Sequence, residues 1–564
     1  MARVSGVAGA IVPGPRRSWP WSAAALAAAA VVSLPILTVL WSLAHPAWAV
    51  WAHLGRTQLP ELLLNTVALV AGVGLGVLLL GTTLAWLVAT CEFPGRRVFE
   101  WALVLPLALP AYVIGFVFLG LFEYAGPLQT ALRGWLGPGA RLPDLRSGWG
   151  VGLMMTLVYY PYVYTLARAA LAEQAPEFLE TARGLGRSRT AILFRVTLPL
   201  ARPALAAGTV LACMEALADF GTVATFSFRT LTEAIYRVWH GMFDRVAATQ
   251  LAAILLGLAA GLLALERLSR GRARFTHARR PARPPARLRL AGIRALGATL
   301  LCAGTLGLAF GLPVGQLIVW AIEAVGRDSV PEALLQALAQ SLALGGGAAI
   351  LVTAVAVLLA YALRRQPTPL VVVATRLAGL GYALPGAVIA VGVLLPLSWL
   401  DRTLAAGLEL LTGVAPSLLL TGSVAGLLFA YLVRFLAIGS QSVEASLTRI
   451  PRSLDEAARS LGARGARTLR AIHLPLARRG LLVAVTLVFV DVMKELPATL
   501  LLRPFGLETL AVVIWRRTAE SLWVEAAAPA LALVLAGLGP VVLAMRASGA
   551  DTRGADSRAG RPPS

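Results

Sequence analysis

The chain has 564 residues, 58% of them hydrophobic and only 14% charged, with a mean hydropathy of +0.75. That balance excludes a water-soluble globular fold and fits an all-α polytopic membrane protein, because backbone facing lipid must satisfy its hydrogen bonds inside apolar helices of about 20 residues. The formal charge of +22 would suggest a nucleic-acid partner in a soluble protein, but its distribution along the chain excludes one here.

In chain order, the first half carries apolar stretches near Trp21–Leu43, Leu62–Thr90, Val98–Phe122, Trp149–Ala170, Ala201–Ala224 and Ala248–Leu265. The second half repeats the count near Ala291–Ile322, Ala337–Leu363, Leu370–Leu397, Pro416–Ala437, Leu481–Leu502 and Val524–Ala544, giving twelve expected spans. The first stretch follows Arg3, Arg16 and Arg17, as a secretory signal would. It is too long for a signal core of about 7 to 15 residues, so it is read as a retained helix. Alternate connections on one side hold 29 arginines and those on the other hold 12, which places both termini in the cytoplasm by the positive-inside rule. Cys91, Cys213 and Cys302 are too far apart to suggest a disulfide framework or a thiolate metal site, and no stable metal site is expected.

The sequence contains an internal repeat. Glu180, Ala182, Gly186, Val196, Leu198 and Pro199 return 276 residues later as Glu456, Ala458, Gly462, Ile472, Leu474 and Pro475. The same offset relates Glu215 to Asp491, Asp219 to Glu495, Leu231 to Leu507 and Trp239 to Trp515. Six spans per copy is an even number, so the copies are parallel and face each other about an axis along the membrane normal. The organisation expected is a first transmembrane domain over 1–265, a basic linker over 266–290, a second transmembrane domain over 291–546 and a cytoplasmic tail over 547–564. The linker has nine arginines with Pro281, Pro284 and Pro285, and reads as solvated cytoplasmic chain.

Between the fourth and fifth spans of each copy, 175–182 and 454–461 favour short helices. Gly186 and Gly462 then permit a turn, and Pro199 and Pro475 stand where the next membrane helix begins. A short helix lying across a cytoplasmic loop offers an exposed face to a partner protein. The chain cannot hydrolyse ATP by a phosphate-loop route: its single lysine, Lys494, precedes Glu495 inside an apolar span, whereas such a loop needs lysine followed by serine or threonine. Gly72, Gly74 and Gly76, and Gly345 to Gly347, read as helix-packing residues.

Ionisable groups within a membrane are costly and point to a pathway. Glu215 and Asp219 are expected on one face of the fifth span, and Asp491, Lys494 and Glu495 on the eleventh. Two readings stand: these groups line a translocation pathway near the pseudo-symmetry axis, or Lys494 pairs with Asp491 within its own turn and the groups only pack. The aromatic run Tyr159–Tyr164 reads as a proline-kinked helix with packed rings.

The doubled spacing E-x-A-x-x-x-G followed by V/I-x-L-P resembles the EAA loop of the permease subunits of binding-protein-dependent ABC importers. The first copy departs from it at Thr181, where that family has alanine. The resemblance implies the type I importer permease fold, with Glu180, Ala182, Gly186, Glu456, Ala457, Ala458 and Gly462 coupling to a separate ABC ATPase, present as two copies, on which ATP and magnesium bind. No cofactor is expected on this chain. The runs 217–226 (LADFGTVATF), 160–164 (YPYVY) and 494–515, with Glu233, Ile235, Tyr236 and Trp239, are similar to the fused permeases of ferric iron importers. That similarity implies a bacterial inner-membrane protein passing ferric iron from a periplasmic binding protein; the segments 225–247 and 503–522, which include Trp239 and Trp515, are candidates for the docking face. Fused permeases for thiamine share the architecture, a polyamine is a further alternative, and a secondary transporter is a rival that needs no EAA loop. A membrane-embedded enzyme is disfavoured, since the five histidines form no metal-ligand spacing.

Overall fold

The computed structural model describes residues 19–44, 48–172, 185–186, 188–242, 244–270, 287–327, 329–330, 333–413, 419–463 and 465–539. The expected tail 547–564 and the first-copy loop residues Glu180, Thr181 and Ala182 lie outside them.

The first half supplies α1 (Trp19–Ser42), α2 (Leu59–Thr90), α3 (Ala111–Phe122), α4 (Gly148–Ala172), α5 (Leu198–Ala218), the short α6 (Gly221–Thr225), α7 (Leu231–Gly241) and α8 (Arg245–Arg270). The second supplies α9 (Ile293–Leu306), α10 (Leu312–Gly326), α11 (Leu334–Arg365), α12 (Gly386–Thr412), α13 (Val424–Thr448), α14 (Arg452–Ser460), α15 (Leu474–Lys494), α16 (Pro497–Leu502), α17 (Leu510–Ala519) and a helix over Trp523–Gly539. Among the described residues, nine helical segments are long and apolar enough to cross a membrane. The other three expected spans fall on α4, on α15 and on Trp523–Gly539, which are helical but more polar or shorter. Large apolar side chains such as Leu37, Leu40, Leu64, Leu75 and Leu79 point outward, a surface suited to lipid rather than water.

Several expected spans are broken by proline or by a carboxylate. The third stretch runs as Arg96–Ala102, a tight turn at Leu105–Ala108, and only then α3 after Pro110, whose extended backbone (ψ 145°) cannot continue a helix. The ninth repeats this with Pro369–Ala378, a turn at Gly379–Ala383, and α12 after Pro385, so the long helix there is 386–412 rather than 370–397. The fifth and eleventh stretches end at Ala218 and Lys494, each followed by one extended residue, Asp219 or Glu495. The two carboxylates therefore sit at helix breaks, and the expectation that each shares one continuous helix face with its partner four residues earlier is corrected. Pro199 and Pro475 lie in the first turn of α5 and α15, each preceded by a π-helical turn, Leu193–Thr197 and Leu469–His473, that absorbs the missing amide.

The sequence repeats do not own separate cores. Helix α1 leaves its own half and packs on the second: Trp21 meets Tyr361 edge-on at 4.9 Å, Ser22 donates to Gln366 at 2.7 Å, and a Cβ on Gly392 would stand 2.6 Å from the Pro35 carbonyl. In return α9, α10 and the last helix pack on the first half. Phe116 stacks with Trp320 and Trp523, and the Trp523 indole donates to Glu123 at 2.9 Å. The end of the basic linker also packs, since Leu288–Arg289 pairs in parallel with Cys91–Glu92, and Leu288 and Leu290 join the first core. Of the glycines read as packing residues, Gly74, Gly76 and Gly345 face neighbours closely, while Gly72, Gly346 and Gly347 face open space.

Candidate functional site

Where the halves meet, a cavity of about 110 Å³ is lined by Glu215, Asp219, Asp491, Lys494 and Glu495, the five ionisable residues singled out from the sequence. Tyr112, Tyr159, Tyr162, Tyr382 and Arg434 complete its polar wall. The breaks after α5 and α15 create it, because each turns a carboxylate onto the start of the following short helix. Asp219 accepts from the Thr222 amide at 2.7 Å and hydroxyl at 3.0 Å, and from the Tyr159 hydroxyl at 3.2 Å. Glu495 accepts from the amides of Ala498 and Thr499, both at 3.0 Å, and forms an ion pair with Arg434 at 3.2 Å.

The remaining two carboxylates differ. Tyr382, from the second half, donates to Glu215 of the first at 3.0 Å. Asp491 pairs with Lys494 at 3.3 Å, and the same ammonium donates to the Leu107 carbonyl of the first half at 3.2 Å. The Lys494–Asp491 pair and the shared cavity thus coexist. The aromatic run divides: Tyr160 and Tyr164 are buried with hydroxyls on the carbonyls of Leu103 and Glu100, while Tyr159 and Tyr162 face the cavity. Among the described residues no three His, Cys, Asp or Glu side chains converge as a metal site.

Trp515 lies with Phe220 (6.0 Å) and Tyr236 (5.8 Å) in a ring cluster that joins the halves beside the cavity, and His240 lies against Tyr236 at 4.7 Å with the rings tilted by 54°. Trp239 lies under Arg245, 5.7 Å from its guanidinium. Both tryptophans are half-buried rather than exposed.

In the second copy of the repeated segment, residues 454–463 are described. Helix α14 exposes Glu456 and Ala457 and buries Ala458. Gly462 (φ 79°) closes it: its amide bonds the Arg459 carbonyl at 3.1 Å and the Ala463 amide bonds that of Ala458 at 2.9 Å, the paired cap that a left-handed residue allows. Gly186 adopts the same conformation (φ 72°) in the first half. A strut absent from the sequence reading holds α14. Arg364 grips Asp455 through two nitrogens at 2.9 and 2.6 Å and also donates to the Leu447 and Ile450 carbonyls. The buried His473 places Nε2 2.7 Å from the other Asp455 oxygen. Arg434 was legible as an arginine inside the tenth expected span; Tyr382 and the Asp455 strut carried no such signal.

Residues 78–274 and 352–554 match the family described as "Binding-protein-dependent transport system inner membrane component". The chain is 28% identical over 494 residues, 86% of its length and 90% of the relative's, to the "Fe(3+)-transport system permease protein FbpB 2" of Haemophilus influenzae. It is 32% identical to the "Molybdenum transport system permease protein ModB" of Escherichia coli strain K12, over 34% of this chain and 87% of that one. It is 29% identical to the "Sulfate transport system permease protein CysT" of the same strain, over 43% and 88%. With the domain matched twice in one polypeptide, the chain belongs to the family of inner-membrane components of binding-protein-dependent transport systems, in fused, duplicated form.

Proposed function

We propose that this chain is the membrane-spanning permease subunit of an ATP-driven importer that passes ferric iron inward from a periplasmic binding protein. Twelve helices cross the membrane, both termini are cytoplasmic, and two copies of a separate ATPase dock at the loops of Glu180 and Glu456. The observation that carries the choice of cargo is the charge of the cavity between the halves: four carboxylates face two cationic side chains, an electrostatic sign that suits a cation and opposes an oxyanion such as molybdate or sulfate. Similarity to the ferric permease along both halves supports the same reading, whereas the molybdenum and sulfate relatives align with less than half of the chain.

In this mechanism ATP binding draws the two ATPase subunits together and carries the coupling segments with them. Glu456 and Ala457 present the contact face, and the cap at Gly462 fixes the angle at which α14 leaves the membrane. The strut through Asp455 passes that movement to α11 and α13. The segments 225–247 and 503–522, which include Trp239 and Trp515, form the docking face for the binding protein. Hydrolysis resets the halves; this chain supplies no catalytic group to it.

Uptake of radioactive ferric iron is compared in cells carrying the native chain or the Glu180→Ala, Glu456→Ala double variant, with membrane abundance measured in both. Uptake should fall while abundance holds. Unchanged uptake in a strain lacking the chain, with no second ferric importer present, would exclude ferric iron as cargo, and the assay is then repeated with thiamine.

A further inference from the structure

The two halves set the same carboxylates around the cavity but neutralise them differently. In the second half each carboxylate faces a fixed cation, Glu495 with Arg434 at 3.2 Å and Asp491 with Lys494 at 3.3 Å. In the first, neither carboxylate forms an ion pair among the described residues: Asp219 accepts from the Tyr159 phenol at 3.2 Å and from the turn that it caps, and Glu215 from the Tyr382 phenol at 3.0 Å, while Arg434 and Lys494 act on Glu215 from across the cavity. The repeat makes the divergence plain. Aligning Leu109-Pro110 with Leu384-Pro385 sets Tyr112 against Ala387 and Leu107 against Tyr382, and the same register sets Tyr159 against Arg434. Lys494 stands where the first half has Ala218. The ion pairs of the cavity therefore lie on the second-half wall.

A second observation points to a ligand there. Tyr112 lines the cavity and is 5% exposed, yet its hydroxyl has no hydrogen-bond partner among the described residues. A buried hydroxyl left unpaired is costly and uncommon, and here it lies on the wall whose carboxylates form no ion pair.

We propose that Glu215 and Asp219, with the hydroxyls of Tyr112, Tyr159 and Tyr382, form a transient oxygen-donor site for a hard trivalent cation, while Arg434 and Lys494 keep the opposite wall from competing for it. The inference rests on the ferric reading above. Carboxylate and phenol oxygens suit a hard ion better than softer metals. A cavity of about 110 Å³ has space for several waters, so a partly hydrated ion fits and a bulky chelate does not. Neutralising one wall limits the depth of the site, and cargo must leave as readily as it enters. Each phenol that coordinates as phenolate releases one proton to solvent, so binding is linked to proton release.

The test uses the purified full chain in lipid nanodiscs, titrated with ferric nitrilotriacetate. Native protein should develop the visible phenolate-to-iron charge-transfer absorption and release protons in step with it. Tyr112→Phe and Glu215→Gln should each weaken binding about tenfold or more, and the isosteric Tyr382→Phe should weaken it in the same direction, all three remaining monodisperse on gel filtration. No absorption in the native chain overturns the site, as does absorption unaltered in all three variants. If that occurs while cells still import iron through the chain, the site fails and the transport reading stands; if cells lacking the chain import iron normally, the transport reading itself fails.

Discussion

Replacing Asp455 by Asn removes the charge on which α14 is hung. The Arg364 side chain is 10% exposed and Asp455 19%, so the pair is largely shielded from water. Removing one partner from a buried pair costs about 3–5 kcal/mol, chiefly because the other charge is stranded. Arg364 would keep its bonds to the Leu447 and Ile450 carbonyls, at 2.6 and 3.0 Å, which sets the cost near the lower end, about 3 kcal/mol. At about 1.4 kcal/mol per decade this is roughly a hundredfold rise in local opening of α14. Hydrogen exchange of peptides covering 452–460, measured on the full chain in nanodiscs, should accelerate by about that factor while peptides from the middle of α13 keep the native rate. Transport should fall further than ATP hydrolysis in the assembled importer, because a loosened α14 still meets the ATPase but no longer pulls on α11. Exchange within threefold of native across 452–460 would refute the strut, whatever happened to transport.

Two further outcomes follow from neighbouring geometry. A Cβ added at Gly386 would run into the Arg434 guanidinium and stand 2.5 Å from a Glu495 oxygen and 2.9 Å from Pro497, and the ion pair prevents the arginine from yielding freely. Gly386→Ala should therefore cost about 1–3 kcal/mol by overpacking, read as a lower thermal midpoint in detergent; a native midpoint would show that the pair gives way. In the π-helical turn before α15, burial pushes the His473 imidazole below its ordinary pKa, outweighing the pull of Asp455 in the other direction. The neutral form is thus favoured in the folded state, so its contribution is complete above the unfolded value of about 6.5 and is lost as the pH falls from there toward the lower folded value. Protection of 452–460 should decline on acidification through that window, and His473→Gln should flatten the profile; an unchanged slope in the variant would remove His473 from the strut.

What the sequence made legible, and what it did not, divides along physical lines. The duplication was readable because it leaves residue types in register: Glu215 with Asp491, Asp219 with Glu495, and Gly186 with Gly462 all recur at one offset. The five ionisable residues reached one cavity because charge in an apolar stretch is conspicuous. The breaks at Asp219 and Glu495 were not readable, since apolar residues continue on both sides and hydropathy does not register a single extended residue. The exchange of α1 and α9–α10 between halves was hidden for a related reason. A helix apolar on every side has no periodic stripe to name its partner, and only the fold shows that Trp21 belongs against Tyr361 and Trp320 against Phe116. Arg364, Asp455 and His473 are ordinary cytoplasmic residues by composition and gain meaning only when α11, α14 and α15 converge.

Duplication within one chain frees the halves to diverge in a way that a symmetric pair of identical subunits cannot. In an identical pair, an arginine at the position of Arg434 would appear on both walls, and both capping carboxylates would be neutralised together. Here the backbone device is kept twice, a helix broken at a carboxylate that caps the next short helix, because it shapes the cavity. The partners of that carboxylate then vary independently: a guanidinium fixes Glu495, whereas a phenol leaves the charge of Asp219 in place. One wall is thereby held by an ion pair and the other is not, a difference that a pair of identical subunits could not have.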